Sequence, residues 1–307
     1  KYLFVPLCFV ALLFLSASTM PIKRLYVSNY ENVLGTSLEI KIESTSATIA
    51  NKAEKVALAE IDRLNAILSS YDSKSEFSRW AASYNQSQKV SNDLFAVFKL
   101  FDQWRNDTKG ALNPAAAVVS KVWKDAGRFG ELPSAISLQN AVTDASQNHW
   151  KLNSEDQTAT HISKSPLVLN TFVKSYIIQK AIAAAKEVKG VRNVVLNIGG
   201  DIAVDGENAE FVEISNPFDD AENAAPIETI KLQNKAIATS GNYRRGVQIG
   251  DKWYSHIVDP RTAMPVDHII SASVVSEDAT KSGALATALN VLTIEESKKL
   301  LESHPDV

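Results

Sequence analysis

Cysteine is almost absent: the 307 residues include one, Cys8, inside an apolar N-terminal run. A lone thiol closes no intrachain disulfide and builds no thiolate metal site, so the fold must rest on its core. Paired histidines are lacking as well. Apart from His256, the histidines His149, His161, His268 and His304 stand in no pairing with metal-ligand spacing, which argues against zinc. Nor is there an excess of one charge, since 32 Lys and Arg against 35 Asp and Glu leave a formal net charge of -3. That balance has no electrostatic footprint for nucleic acid. The chain also has no nucleophile elbow, no phosphate loop ending in Lys-Ser or Lys-Thr, and no dinucleotide fingerprint.

Only one stretch is continuously apolar. Lys1 precedes a run through Leu15 that is short for a bilayer span, and Ser16-Ala17-Ser18 follows. A basic start, an apolar segment and a small-x-small site are what signal peptidase reads, so residues 1–18 are expected to be a signal peptide cut near Ser18. A retained membrane anchor is the alternative. Cys8 has no small residues before it, and lipoprotein anchoring is not expected. The remainder, residues 24–307, has ordinary globular content at 45% hydrophobic and 22% charged for the whole chain. A start without Met and an end directly after a helical pattern carry the expectation that the sequence is a fragment.

Alternating apolar residues predict two strands or one bent pair over Arg24 to Glu43, broken at Gly35. Three- and four-residue spacing predicts helices over Ile49 to Leu68, Leu94 to Trp104, Ala181 to Val188, Lys281 to Val291 and Ile294 to Leu301, with a short capped helix from Ser134. Strands are expected at Asn193 to Asn197, Glu210 to Ile214, Ile227 to Leu232, Ala236 to Ala238, Trp253 to Val258 and Ile269 to Val275. Strands and helices do not alternate regularly, which points to an α+β domain.

Three segments carry candidate chemistry. Asn197-Ile198-Gly199-Gly200-Asp201 sets a glycine turn after a strand, where backbone amides can approach an anionic ligand; a plain hairpin uses the same residues. Thr239-Ser240-Gly241-Asn242-Tyr243-Arg244-Arg245 ends in two guanidiniums suited to phosphate, or is a solvated hairpin. His256, expected on a strand, precedes the stiff turn Asp259-Pro260-Arg261-Thr262, and its unperturbed pKa near 6.5 suits a proton acceptor. A structural histidine is the competing assignment.

In order, these segments resemble the ApbE family of exported bacterial flavin transferases. Leu34-Gly35-Thr36, Leu68-Ser69-Ser70-Tyr71, Gly110-Ala111-Leu112-Asn113-Pro114 with Trp123, Lys174 with Tyr176, Asn197 to Asp201, Thr239 to Tyr243, His256 to Thr262 and Ala284 to Leu289 are similar to successive family blocks. The resemblance implies a single domain of the T-fold type, with mostly antiparallel strands packed against helices. It implies FAD as substrate, a Mg²⁺ ion, and transfer of FMN to a Ser or Thr hydroxyl of a partner flavoprotein with release of AMP. By the same resemblance His256 is the base, Asp259 and Arg261 shape its loop and count with it as catalytic, and Thr287 is a metal ligand. Lys174, Asn197, Gly199, Gly200, Asp201, Ser240, Gly241 and Tyr243 are then FAD-binding, with Tyr71 stacking on a ring. A periplasmic or other extracytoplasmic location follows, with membrane association only through the acceptor or an uncleaved signal.

Departures cluster around the metal. The family carries an Asp one helical turn before Thr287, where this chain has Gly283, and its Asp-Leu-Gly-Gly-Ile-Ala-Lys-Gly-Tyr segment reads Val168-Leu169-Asn170-Thr171-Phe172-Val173-Lys174-Ser175-Tyr176 here, without the Gly-Gly and the acid. Asn113 and Ala263 replace an Asp and a Gly. A transferase is favoured because the His256 to Arg261 loop is kept; a catalytically weakened FAD-binding protein and a Mg-dependent FAD pyrophosphatase are the alternatives. Asp278 and Glu277, at the start of the helix, are expected to serve as cap residues rather than as replacements for the acid. Gly283→Asp is the change expected to restore the metal pair.

Overall fold

Leu38, Ile40 and Ile42 alternate with polar residues along Thr36–Ser44, and all three are buried on one face of the strand. That strand pairs antiparallel with Arg24–Val33 on one side and Val191–Ile198 on the other. A computed structural model describes residues 23–219 and 224–307. Its main sheet has six antiparallel strands in the order Arg24–Val33, Thr36–Ser44, Val191–Ile198, Asp201–Gly206, Lys235–Gly241, Ser271–Ser276. The expected signal peptide lies outside the described residues, and no helix among them is long and apolar enough to cross a membrane.

The two faces of the sheet are covered differently. Leu196, Ile198, Ala203, Ala236, Ala238 and Val274 point into the large core beneath three packed helices, Ala47–Leu68, Val173–Lys186 and Ala279–Val291. Val195, Val204 and Ile237, one residue out of phase, meet Val212 and Leu232 of the hairpin Glu210–Ile214 with Glu228–Leu232. Each buried Leu, Ile or Val stabilises the fold by about 1.5–3 kcal/mol relative to an exposed one. Ser46 caps the Ala47–Leu68 helix by accepting from the Ile49 amide at 3.3 Å.

A smaller apolar cluster fixes where the turn after His256 sits. Val119, Trp123 and Ala126 of the helix Ala116–Phe129 pack against Ile249, Val258 and Ala263, and Trp123 Nε1 donates to the Ala263 carbonyl at 2.8 Å. Ala263 holds φ at +56°, a left-handed conformation that glycine adopts at less cost than a residue with a Cβ. Sequence patterning missed this helix, the short helix Glu76–Ala81, and the three-stranded sheet of Ser87–Lys89, Thr158–His161 and Trp150–Asn153. His256 also departs from expectation: it stands on a bend between Lys252–Ser255 and Val258–Asp259, not within a strand.

Candidate active site

Strands Val191–Ile198 and Asp201–Gly206 are joined by Gly199 and Gly200 at φ +58° and +92°. Two positive φ values in a two-residue hairpin define a type I′ turn, which glycine adopts without the Cβ penalty. A Cβ on Gly199 would stand 2.7 Å from the Thr36 side chain, so the close approach of the strands Thr36–Ser44 and Val191–Ile198 also disfavours any larger residue. Asn197 Oδ1 accepts from the Gly200 amide at 3.1 Å and keeps the turn closed.

This turn forms one wall of a cleft of about 580 Å³. Lys174, Asn197, Gly199, Gly200 and Asp201 line it together with Ser240, Gly241 and Tyr243. Arg244, Arg245, His256, Gly283 and Thr287 complete the lining. The three candidate segments, far apart in sequence, therefore meet around one space.

Lys174 and Ser175 begin the helix Val173–Lys186, which points them at Asp201. Ser175 Oγ donates to Asp201 Oδ2 at 2.9 Å, and Lys174 Nζ lies 3.5 Å from the same oxygen. Burial pushes the Asp201 carboxyl above its ordinary pKa, while Lys174 and the Ser175 hydroxyl pull it back down. Thr287 Oγ1 is within hydrogen-bond distance of two carbonyls, Gly283 at 3.1 Å and Thr171 at 3.3 Å. Asp278 caps its helix, accepting from the Thr280 amide at 2.7 Å and the Lys281 amide at 3.3 Å, as sequence patterning anticipated.

On the opposite wall, the chain bends from Asn242 to Arg245 and holds His256 twice. The Arg245 carbonyl accepts from the His256 amide at 3.0 Å and lies 3.0 Å from the ring Nδ1. Because a carbonyl only accepts, Nδ1 carries the proton and Nε2 keeps a free lone pair. Surrounding protein lowers the His256 pKa below its ordinary value, and the Arg245 and Lys124 charges act in the same direction. The ring is neutral at pH 7, with Nε2 able to accept a proton. Arg244 stacks its guanidinium 5.6 Å from the Tyr243 ring centre, and no carboxylate pairs with Arg244 or Arg245 among the described residues.

Three expected site residues stand apart from this cleft. Asp259 is buried, and its carboxylate binds the Arg261 side chain through Nε at 2.9 Å and Nη2 at 2.7 Å. Arg261 Nη1 continues to Glu296 at 2.7 Å. Both therefore brace the turn against the helix Ile294–Leu301, a loop-shaping position, and neither lines the cleft. Tyr71 is 81% exposed at the rim, reaching the cleft only through its hydroxyl, which accepts from Asn170 Nδ2. Asn113 is buried in bracing bonds to the Ala145 carbonyl and Ala115 amide. Sequence reasoning did not find Asn170, Thr171, or the hairpin residues from Val212 to Ser215, all of which line the cleft. Their signal is weak because they contribute backbone and small polar groups without a motif of their own.

The ApbE family profile matches residues 34–307. The chain belongs to the ApbE family. Curated relatives include an FAD:protein FMN transferase of Buchnera aphidicola, 25% identical over 281 residues, which are 87% of this chain and 80% of the relative. Another, from Rhodobacter capsulatus, is 30% identical over 86% of this chain but only 51% of its own length. Among solved structures, the ApbE protein of Thermotoga maritima superposes with a TM-score of 0.79 at 23% identity, covering 92% of this chain and 91% of that one. The flavin transferase ApbE of Vibrio cholerae gives 0.73 at 22% identity and 92% coverage of both chains. At these identities the superpositions establish the fold, which agrees with the α+β domain expected from the sequence.

Proposed function

We propose that this chain is an FAD:protein FMN transferase, moving FMN from FAD to a Ser or Thr hydroxyl of an acceptor flavoprotein. The observation that carries the proposal is the neutral His256 with Nε2 free, facing a cleft that also presents the Gly199-Gly200 turn and the cations Lys174, Arg244 and Arg245. Family membership and the names of the relatives support the same activity.

In the proposed reaction His256 Nε2 accepts the acceptor hydroxyl proton as the oxygen attacks the FMN-side phosphorus. The bond from that phosphorus to the bridging pyrophosphate oxygen breaks, and AMP leaves with the electron pair. Lys174, Arg244 and Arg245 offset the negative charge on the phosphoryl oxygens, where electrostatic stabilisation contributes most in such displacements. The Gly199-Gly200 backbone lets the ligand approach without a side chain in between.

The Mg²⁺ implied by the resemblance does not match this donor set. Among the described residues no group of three or more His, Cys, Asp or Glu can hold a metal ion. Two carboxylates line the cleft, Asp201 and Glu213, and Asp201 is already engaged by Ser175 and Lys174. A neutral hydroxyl with backbone carbonyls is a weak site for a cation that demands hard, charged oxygens. No step above passes through the metal.

We place the reaction outside the cytoplasm on the strength of the N-terminal export pattern; N-terminal sequencing of protein recovered from an expressing bacterium tests the cut near Ser18. The activity is tested by incubating purified protein, FAD and an acceptor flavoprotein domain, then imaging flavin fluorescence on a denaturing gel. A labelled acceptor is expected. No label on an acceptor that another flavin transferase does label refutes the proposal, and FMN plus AMP without any acceptor indicates hydrolysis instead.

A further inference from the structure

Gly283 and Ser175 face each other across two packed helices. A Cβ on Gly283 would lie 2.2 Å from Ser175 Oγ and 2.8 Å from Ser175 Cβ, closer than atoms can stand. The space that an acidic side chain would enter is thus already filled from the facing helix. Ser175 cannot swing aside without giving up its 2.9 Å bond to Asp201, a carboxylate set deep in the cleft wall. Breaking a bond to a buried carboxylate is among the costlier losses in a protein. The two departures from the family pattern, a Gly for an Asp and a Ser for a Gly, are one compensated change.

What the exchange leaves in place is a cation on the chain itself. Asp201, kept by the Ser175 hydroxyl, holds the Lys174 ammonium at 3.5 Å, loosely enough to leave donors for a ligand. Arg244 and Arg245 face the same space unpaired, and three cations against the carboxylates of Asp201 and Glu213 leave the cleft net positive without an added ion. We propose that Ser175 and Gly283 convert this site from divalent-cation binding to binding of the FAD pyrophosphate by Lys174, with no metal ion required. The inference rests on FAD being the ligand.

Calorimetric titration of magnesium chloride into the FAD-saturated protein, with FAD alone as the blank, is expected to show no saturable heat. FAD affinity is expected to agree within about twofold between EDTA and magnesium buffers, and Lys174→Met to weaken it at least about tenfold in both. One-site magnesium binding, or FAD binding only with magnesium, overturns the inference and leaves the transferase proposal standing. FAD binding in neither buffer overturns that proposal and the inference with it. Gly283→Asp alone is expected to lower the unfolding midpoint or prevent folding. The double variant Ser175→Gly with Gly283→Asp is expected to recover stability and acquire magnesium-sensitive FAD binding. A single variant as stable as the parent overturns the steric pairing.

Discussion

His149 makes acid stability a sharp test of the packing around the strand Trp150–Asn153. It is buried, with Nε2 3.3 Å from the Ala145 carbonyl and Nδ1 2.9 Å from Ser163 Oγ. The carbonyl requires Nε2 to carry the proton, so Nδ1 accepts from the serine and the neutral ring is satisfied. Burial is the main reason its pKa falls to about 4, with the Arg105 charge adding to the effect. A histidine whose folded pKa lies below its unfolded value of 6.5 contributes stability that is present above that pH and lost as pH falls toward the folded value. Complete protonation in the unfolded chain only, across that gap, corresponds to about 3 kcal/mol, and roughly 2 kcal/mol is already gone at about pH 5. Against a total stability of about 5–15 kcal/mol this is a large share. His161, also lowered by burial, acts in the same direction. Urea unfolding of the parent and of His149→Gln at about pH 7.5 and about pH 5 measures the effect. Gln keeps a donor for the Ala145 carbonyl but does not titrate, so its loss between the two pH values should be smaller by roughly 2 kcal/mol. Equal acid losses in both proteins would refute the assignment of the proton to Nε2 in a neutral, buried ring.

Other perturbations separate the cleft from its supports. His256→Ala should reduce FMN transfer by about 10²- to 10⁴-fold while FAD still binds, and the parent's rate should rise with pH through a midpoint below the ordinary histidine value, because the neutral ring is the active form; single-turnover flavinylation measured against pH checks both. Glu296→Ala removes one end of the Arg261 bridge and should cost about 1–2 kcal/mol in thermal unfolding with FAD affinity unchanged, since neither residue lines the cleft. Gly199→Ala forces a Cβ against Thr36 and into a left-handed turn, so it should destabilise by about 2–4 kcal/mol and weaken FAD together, as read by denaturation and fluorescence quenching.

Much of the sheet and six helices were legible because their signals are local. Leu38, Ile40 and Ile42 alternate, and Ile61, Leu64 and Leu68 recur at helical steps, whatever they later touch. The helix Ala116–Phe129 was missed although Gly130 closes it in a left-handed cap, because its apolar stripe follows the loop block Gly110 to Pro114 without a side-chain cap. That omission matters for function. Trp123 on this helix carries the turn after His256, so the brace for the candidate base was invisible while the base itself was evident.

The sequence alone determined the order of the glycine turn, the arginine pair and the His256 turn, and with it the family and the kind of ligand the site takes. Neighbouring residues set turn chemistry and periodicity, so these features survive in one dimension. Which residues meet was decided only by tertiary structure. Asp259 and Arg261, only three and five residues after His256, point away into a bracing network, while Lys174, Asp201 and Gly283 from three separate elements converge. The absence of an acid at Gly283 was readable from the chain. That Ser175 occupies its space, and that restoring the acid alone would clash, depends on a contact between two helices that no local pattern encodes.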